Sequence, residues 1–384
     1  MKVLWKRIAK SMGIVALSAV MLTACSAASA PTDEKIAAAS VTEVTTESAK
    51  DVTSDSKNEM QNEAENETDV AKNQLPDTSD ETHKLILYSA GPGGLAENIV
   101  EGFKAKTGIE VELYQATTGK ILARLEAEKA NSIADVVILA SWPSAADLKA
   151  QGLTQAYTPE NADKIVDGWR DSEDHYVGYS GSALGITYNT LMVKPSDLPS
   201  DWDDFTQPEW QDVVNIPDPT SSGSAMDFIS GYINNYGDEG WTLFESLKGN
   251  GLELAGANKE ALAPVISGAK NAVLAGVDYM AYSSKAKGEP VDIIYPKSGT
   301  VVNPRPAMIL NEAHNLKNAK LFMDYLLSDE AQGMVVKAYI LPGRTDIEVT
   351  NRAALDEIPL LNYDWNWMTE HTEEINQQFM SIYQ

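Results

Sequence analysis

The chain has 384 residues, 43% of them apolar, which is enough for a folded region with a substantial core. Its 56 acidic and 30 basic residues give a formal net charge of −26, which argues against nucleic acid as a partner because the phosphate backbone is also an anion. With one cysteine, Cys25, the chain has no second thiol for an internal disulfide.

The N-terminal residues have the composition of a secretory signal. Four basic residues, from Lys2 to Lys10, precede an apolar run over residues 12–22, and small residues follow it. This run is shorter than the ~20 residues that a membrane-spanning helix needs. The stretch LTAC resembles the lipobox of bacterial lipoproteins, which implies that residues 1–24 are removed and that Cys25 is lipidated. We therefore expect a lipid anchor on the extracytoplasmic face of the cell membrane. The alternative is an ordinary signal peptide that contains a cysteine by chance.

Residues 25–83 differ in composition from the rest of the chain. From residue 26 to residue 83 there are 14 acidic and 4 basic residues, no aromatic residue and few large aliphatic ones. Such a segment buries too little apolar surface to offset the entropy lost on ordering. We expect a disordered acidic tether, whose typical span for a flexible chain of this length is about 40 Å.

From Lys84 to Gly152, predicted strands alternate with predicted helices. Short apolar strands begin at Lys84 and Ile109, and a continuous apolar run begins near Ala134. Each strand leads into a segment with apolar residues at helical spacing. This order predicts an α/β fold with a mostly parallel sheet, in which ligands bind beyond the carboxyl ends of the strands. The strand-to-helix turns supply the candidate residues Ser89, Gly93, Gly94, Thr117, Thr118, Gly119, Ser141 and Trp142.

A second group of elements follows. The segments 179–193 and 291–310 are predicted to be extended and long enough to cross between two parts of the fold. Residues 263–276 predict a helix, VDYMAY at 277–282 predicts a strand, and further helices are predicted towards the C-terminus. The stretch PDPTSSGSAMDF, residues 217–228, places small hydroxyl residues and a glycine directly before a helix. Such a run is a helix N-cap or a cradle for an oxygen-rich anion, with the candidates Ser221, Ser222, Gly223 and Ser224.

Four stretches, ADVVILASWPSAADLKAQGL, NIPDPTSSGSAMDF, YNTLMV and AYILPGRTD, together resemble the solute-binding proteins of bacterial ABC importers. The resemblance covers nearly all of residues 84–384 and is to the branch that contains ferric-iron, 2-aminoethylphosphonate and hexose-phosphate binders. It implies a two-lobed periplasmic-binding-protein fold, type II-like, with two crossing strands at the hinge and closure of the lobes on a ligand. The N-terminal lobe is expected at 84–182 and 303–384, and the C-terminal lobe at 183–302.

The same resemblance implies a monomer without catalytic activity or cofactor, which delivers its solute to ABC permease subunits in the membrane. The residues themselves do not favour an enzyme. GYSGS at 178–182 lacks the last glycine of a nucleophile elbow, and TTGK at 117–120 lacks the first glycine and the final hydroxyl residue of a P-loop. No two histidines have the spacing of metal ligands. A surface adhesin or sensor on the same fold is a further alternative, since a fold does not determine a function.

The ferric members of this branch bind iron through a histidine, a glutamate and two adjacent tyrosines. The resemblance places these positions at Pro92, Ala140, Tyr279 and Met280, so three of the four ligands are missing. Ferric iron prefers anionic oxygen ligands, which proline, alanine and methionine do not supply. An iron site that uses Tyr279 is therefore the alternative, and a site without metal is the first hypothesis.

The favoured ligand is a small solute with a phosphate or phosphonate group, followed by a carboxylate. Helix N-termini offer free N–H groups, and glycine lets an oxyanion approach the backbone, so little formal positive charge is required. The aromatic residues Trp142, Tyr279 and Tyr282 are candidates for the walls of the site or for the core. Arg344, in LPGRTD, is either a surface or salt-bridged residue or a ligand contact, because the resemblance places it near the lobe interface. Arg305, in NPRP, ranks below it.

Overall fold

The computed structural model describes residues 83–383. Cys25 and the predicted tether up to residue 82 lie outside the described residues. Ten α-helices and eleven strands make up the described chain, with short 3-10 turns between some of them. None of the described helices is both long enough and apolar enough to cross a membrane.

The first lobe contains the predicted alternation of strands and helices. Its elements are β1 (Lys84–Ser89), α1 (Gly93–Thr107), β2 (Glu110–Gln115), α2 (Thr118–Ala127), β3 (Val136–Ile138), α3 (Trp142–Ala150) and β4 (Thr154–Gln155). Strand β1 lies between β2 and β3 and runs parallel to both. The carboxyl ends of these three strands therefore share one edge of the sheet, and α1, α2 and α3 begin at that edge. The α/β fold predicted from the sequence is confirmed.

Two long strands connect the lobes. Strand β5 (Val177–Asn189) is buried along its whole length, and β10 (Val302–Leu310) lies antiparallel beside its first half, with Val302 opposite Ala183. The second half of β5 pairs with strands of the second lobe. The predicted lobe boundaries fall inside these two crossing strands, and the exact limits of the lobes stay a prediction.

The second lobe is a smaller sheet flanked by helices. Its elements are β6 (Val214–Ile216), α4 (Gly223–Tyr236), α5 (Asp238–Gly249), β7 (Glu253–Leu254), α6 (Asn258–Ser267), β8 (Ala272–Val277), α7 (Asp278–Ala286) and β9 (Val291–Ile294). Strand β6 is parallel to β7 and β8, whereas β8 and β9 are antiparallel to β5. Strands β6 and β8 each lead directly towards a helix, so this lobe also has strand-to-helix turns at one sheet edge.

Three predictions for this part of the chain are wrong. VDYMAY is the start of helix α7, because β8 ends at Val277. Residues 263–276 are helical only as far as Ser267, where Gly268 turns the chain with a φ of 78°. The segment 291–310 forms two strands, because Gly299 adopts a φ of 103° between β9 and β10. Short apolar runs do not distinguish a buried strand from a buried helix, so local patterns could not decide these cases.

The last part of the chain returns to the first lobe and then contacts both. Its elements are α8 (Leu316–Leu326), α9 (Asp329–Lys337), β11 (Leu341–Pro342) and α10 (Trp365–Tyr383). Phe322 of α8 packs edge-on against Phe103, with ring centroids 5.1 Å apart, inside the first-lobe core. Helix α10 lies against α3 of the first lobe and α4 of the second. Its residue Phe379 belongs to the core cluster of the second lobe.

Candidate functional site

A cleft of about 1070 Å³ lies between the two lobes. Its first-lobe wall contains residues 90–95, residues 116–118 and Ala140, which follow the ends of β1, β2 and β3, together with Asn98, Glu101, Gly102 and Ala105 of α1. Its second-lobe wall consists of residues 221–224 and 257–259 together with one side of α7. The C-terminal end of α9 closes the side of the cleft.

Five helices of the described chain begin at this cleft: α1 and α2 from the first lobe, and α4, α6 and α7 from the second. The first N–H groups of a helix have no partner within the helix and carry a partial positive charge. Helices α1, α2 and α4 have no acidic residue in their first turn that could neutralise this charge. The cleft therefore presents amide donors from both lobes. Nine predicted site residues line it: Gly93, Gly94, Thr117, Thr118, Ser221, Ser222, Gly223, Ser224 and Tyr279.

The hydroxyl run before α4 combines helix capping with lining of the cleft. Ser222 is the N-cap, and its Oγ accepts a hydrogen bond from the Ala225 N–H at 3.2 Å. Asn258 Nδ2 donates to the Oγ of Ser222 at 2.9 Å and to the Oγ of Ser224 at 3.0 Å. The two serine hydroxyls lie 3.1 Å apart. One of the two hydroxyls can donate to the other, which leaves the second hydroxyl hydrogen available to an acceptor in the cleft.

The two lobes touch at the first residue of α4. Within the first lobe, Thr118 Oγ1 accepts a hydrogen bond from the Ala140 N–H at 3.0 Å. A Cβ atom on Gly223 would lie 3.1 Å from the Ala140 carbonyl oxygen and 3.3 Å from Thr118 Oγ1. Only glycine allows this approach without displacing the first-lobe turn, because the nearest atom belongs to the backbone. The contact sets the spacing of the lobes at this point.

The N-terminus of α3 is occupied by a side chain of the second lobe. Ser141 Oγ donates to Asp227 Oδ1 at 2.9 Å, and the Trp142 N–H donates to Asp227 Oδ2 at 3.3 Å. Asn303 of β10 donates to the same Oδ2. Burial raises the pKa of Asp227 well above its usual value, although the Ser141 and Trp142 donors act in the opposite direction. This helix end is therefore filled by an internal carboxyl group.

Six predicted site residues do not line the cleft: Ser89, Gly119, Ser141, Trp142, Tyr282 and Arg344. Arg344 is buried and pairs with Asp329 and Asp346, each at 2.7 Å. The Trp142 ring packs on Tyr176, with centroids 4.8 Å apart. Both side chains therefore have structural partners. A structural role was the alternative to ligand contact that the sequence left open for each of them.

Three other members of this group, Ser89, Tyr282 and Gly119, lie close to the cleft wall. Ser89 Oγ accepts from the Gly91 N–H at 3.1 Å and so shapes the first turn. Tyr282 stacks on Tyr339, and its hydroxyl lies 3.3 Å from that of Tyr295. Gly119 faces a second groove of about 570 Å³. Their predicted roles in ligand binding stay predictions.

Tyr279 lines the cleft at the start of α7. Burial raises the pKa of Tyr279, and the nearby Arg305 guanidinium opposes that shift only in part. The side chain is therefore a neutral phenol at pH 7 and can donate a hydrogen bond to an oxygen acceptor. Iron coordination would require the phenolate instead.

Several cleft residues were not predicted from the sequence. They include three exposed lysines, Lys259, Lys287 and Lys337, and also Asn258 and Tyr339. Tyr339 adopts a φ of 61°, which is rare for a residue that is not glycine. No local pattern marks these positions, because isolated lysines on helices normally belong to solvated surface. Formal positive charge is therefore present at the cleft, and the prediction that it contributes little to binding stays a prediction.

All four positions that correspond to iron ligands in the ferric proteins line the cleft: Pro92, Ala140, Tyr279 and Met280. Of these side chains, only Tyr279 carries an oxygen atom. Among the described residues no group of three or more His, Cys, Asp or Glu side chains could hold a metal ion. This donor set does not fit a ferric site made by the protein alone.

A sequence model of bacterial extracellular solute-binding proteins matches residues 131–371. The chain belongs to this family. The family consists of substrate-binding transport proteins, so the predicted class, a solute-binding protein of the ABC-importer type, is confirmed. The match includes most of the second lobe, both crossing strands and the hydroxyl run before α4.

Relatives with different reported ligands are similar over most of the folded chain. Iron uptake protein A1 of Synechocystis sp. is 26% identical over 68% of this chain and 76% of its own length. A putative 2-aminoethylphosphonate-binding periplasmic protein of Salmonella typhimurium is 21% identical over 69% of this chain and 81% of its own length. The structure of the periplasmic binding protein AfuA from Actinobacillus pleuropneumoniae, with fructose-6-phosphate bound, superposes with a TM-score of 0.72. That match has 24% identity, covers 78% of this chain and 98% of the other, and confirms the two-lobed fold of this solute-binding protein.

Proposed function

We propose that this solute-binding protein captures a small solute with a phosphate or phosphonate group in the cleft and delivers it to an ABC permease. The observation that carries the proposal is the convergence of five helix N-termini from both lobes on one cleft, three of them without an acidic residue in the first turn. Amide groups at helix N-termini bind oxyanions well. Closure of the lobes would exclude water and strengthen these hydrogen bonds.

Ferric iron is the second candidate ligand, because Tyr279 lines the cleft and a relative is named as an iron uptake protein. In that case an external anion, such as citrate, would have to supply most of the oxygen ligands. The missing ligands at Pro92, Ala140 and Met280 make this the weaker candidate. A surface adhesin or sensor is a third candidate, which a binding experiment with defined solutes would separate from the first two.

The same proposal includes the cellular location and the oligomeric state of the protein. We propose that Cys25 carries the lipid anchor, that residues 25–83 hold the folded part near the extracytoplasmic face of the membrane, and that the protein is a monomer without catalytic activity. Cys25 lies outside the described residues. Labelling with a radioactive fatty acid in cells, compared between the native chain and C25S, tests the anchor. Equal labelling of both proteins would contradict it.

Calorimetric titration of the full mature chain tests the ligand. The probes are 2-aminoethylphosphonate, fructose 6-phosphate, inorganic phosphate and ferric citrate. We expect binding of at least one phosphonate or phosphate probe, and no visible absorption band with ferric citrate. A visible tyrosinate-to-iron band, with no binding of the other three probes, would replace the proposal by the iron function.

A pair of helix-cap variants separates ligand contact from capping. Ser222 caps α4 at the cleft, whereas Ser328 caps α9 away from it and accepts from the Ala331 N–H at 3.3 Å. S222A and S328A should each lower the free energy of unfolding by about 1 kcal/mol. Only S222A should also weaken binding of the phosphonate or phosphate probe, by about 10-fold. Equal effects on binding would assign Ser222 to capping alone.

A further inference from the structure

The guanidinium group of Arg305 lies directly behind the floor of the cleft. Arg305 belongs to the crossing strand β10 and is only 3% exposed. Its Nη1 donates a hydrogen bond to Ser182 Oγ at 2.7 Å. The guanidinium carbon lies 5.1 Å from the centroid of the Tyr279 ring, and Tyr279 lines the cleft. The positive charge is therefore separated from the cleft by one aromatic ring.

Arg305 differs from the other buried arginines of the described chain in having no carboxylate partner. Arg344 is also 3% exposed and pairs with two aspartates at 2.7 Å. Arg352 is 8% exposed and pairs with Asp278 at 2.5 Å. Within the described residues no ion pair includes Arg305, and its Nε is buried without a hydrogen-bond partner. Its charge is thus left uncompensated by the protein.

The buried carboxylate of Asp278, which directly precedes Tyr279 in the chain, already has partners. Asp278 Oδ2 accepts from Arg352, from the Tyr295 hydroxyl at 2.9 Å and from the Ala183 N–H at 3.1 Å. The charges of Asp278 and Arg352 cancel, so one net positive charge remains behind the cleft. Burying an unpaired charge is strongly unfavourable in a protein interior unless a counter-ion comes close. The open space in front of Tyr279 is where such a counter-ion has access.

The backbone around Arg305 is built to hold this side chain in one place. Pro304 and Pro306 flank it, and each proline fixes its own φ near −65°. The register between β10 and β5 shifts between Arg305 and Pro306. Bulges of this kind re-aim a side chain and are frequent beside binding sites. A central strand with two prolines loses hydrogen bonds of the sheet, which indicates a constraint other than stability.

We propose that Arg305 determines the charge of the ligand: its unpaired guanidinium, acting through Tyr279, selects solutes whose anionic group binds against the Tyr279 hydroxyl. This inference rests on the proposed function and adds the residue that discriminates charged from neutral solutes. The helix N-termini and the lysines at the rim then orient and attract the same group. Arg305 is a positioning residue, because Tyr279 stands between it and the cleft.

The central test neutralises the guanidinium without removing it. In S182D, the new carboxylate would stand where Ser182 Oγ now accepts from Arg305 Nη1, and would pair with the guanidinium. We expect S182D to lower the affinity for fructose 6-phosphate or 2-aminoethylphosphonate by about 10- to 100-fold, while its melting temperature stays equal or rises. A residue with only a structural role would not separate binding from stability in this way.

Charge-deletion variants complete the test. R305M should lose a similar factor in affinity, and R305K should recover most of it because the charge is kept. The control is K285M, which removes an exposed charge that does not line the cleft and should change affinity by less than about 3-fold at physiological salt. If R305M does not fold, S182D and R305K still decide the question, since both keep a cation at position 305.

The outcomes are distinct for the two proposals. If the native protein binds none of the phosphate and phosphonate probes, the proposed function is wrong and the role of Arg305 falls with it. If the native protein binds a probe and S182D binds it equally well, the role of Arg305 is wrong and the proposed function stands. The inference is supported if S182D binds the probe more weakly than the native protein and if R305K binds it more tightly than R305M.

Discussion

Asp227 joins the two lobes through one buried carboxyl group, and the protonation of this group should control how stability depends on pH. It accepts hydrogen bonds from Ser141, Trp142 and Asn303, and among the described residues no cation pairs with it. Its titratable neighbour Tyr363 stays protonated across the physiological range, because burial raises the pKa of that phenol to about 12.

The magnitude follows from proton linkage. The pKa of Asp227 is raised in the folded state, so the folded protein retains a proton that the unfolded chain loses above its ordinary pKa of about 3.9. The resulting stabilisation is fully present below about pH 4 and is lost as the pH rises through the folded-state pKa. Between the unfolded-state and folded-state pKa values, this one group should lower the free energy of unfolding by up to about 1.4 kcal/mol for each unit by which the pH rises.

The variant D227N removes the titration and keeps the neutral hydrogen-bond pattern. Its amide oxygen can accept from Trp142 and Asn303, and its amide nitrogen can donate to Ser141. Urea unfolding at several values between pH 4 and pH 8 measures the effect. We expect D227N to equal the native protein near pH 4 and to be more stable at pH 8. The control D227A leaves three donors without an acceptor and should lose about 1–3 kcal/mol at every pH.

Two results would refute this reasoning. Parallel pH dependences of the native protein and D227N would show that Asp227 does not titrate in the window. A D227N protein that is less stable than the native one at pH 8 would show that the three donors hold a charged carboxylate, against the effect of burial.

Two other variants test contacts seen in the structure. In G223V, the new side chain meets the Ala140 backbone, so the lobes should be held apart; we expect a larger radius of gyration by X-ray scattering and at least 10-fold weaker solute binding. Native values of both quantities would contradict the close approach. In R352M, Asp278 loses its buried counter-ion, and urea unfolding should show a loss of about 3–5 kcal/mol. The control K285M breaks an exposed ion pair and should lose less than about 1 kcal/mol; equal losses would contradict the assigned difference in burial.

Local sequence patterns were sufficient for features that depend on neighbouring residues. The alternation of strands and helices predicted that the turns at Gly93, Thr118 and Ser141 share one sheet edge. Gly93 and Thr118 line the cleft, whereas Ser141 does not. The hydroxyl run before α4 predicted an N-cap, and Ser222 caps that helix. These signals are local because capping and strand periodicity involve residues a few positions apart.

Local patterns failed where the same sequence pattern is compatible with two structures or two roles. VDYMAY has the apolar content of a strand, yet it begins a helix because the preceding strand ends at Val277. Arg344 and Trp142 were weighed as ligand contacts or structural residues, and the structure gives both of them structural partners. Burial and pairing of such side chains depend on residues far away in the sequence.

The sequence by itself determined the α/β class, the crossing segment at 179–193 and the starts of α1, α2 and α4 at the cleft, because each of these follows from the order and spacing of nearby residues. Only the tertiary structure decided which helix starts are open to a solute. Ser141 and Asp227 are 86 positions apart, yet the carboxyl group of Asp227 fills the N-terminus of α3. Arg305, which the sequence ranked below Arg344, became the stronger candidate only when the folded chain left it buried without a carboxylate. Charge compensation in a protein interior is set by distance in space, which a linear pattern does not record.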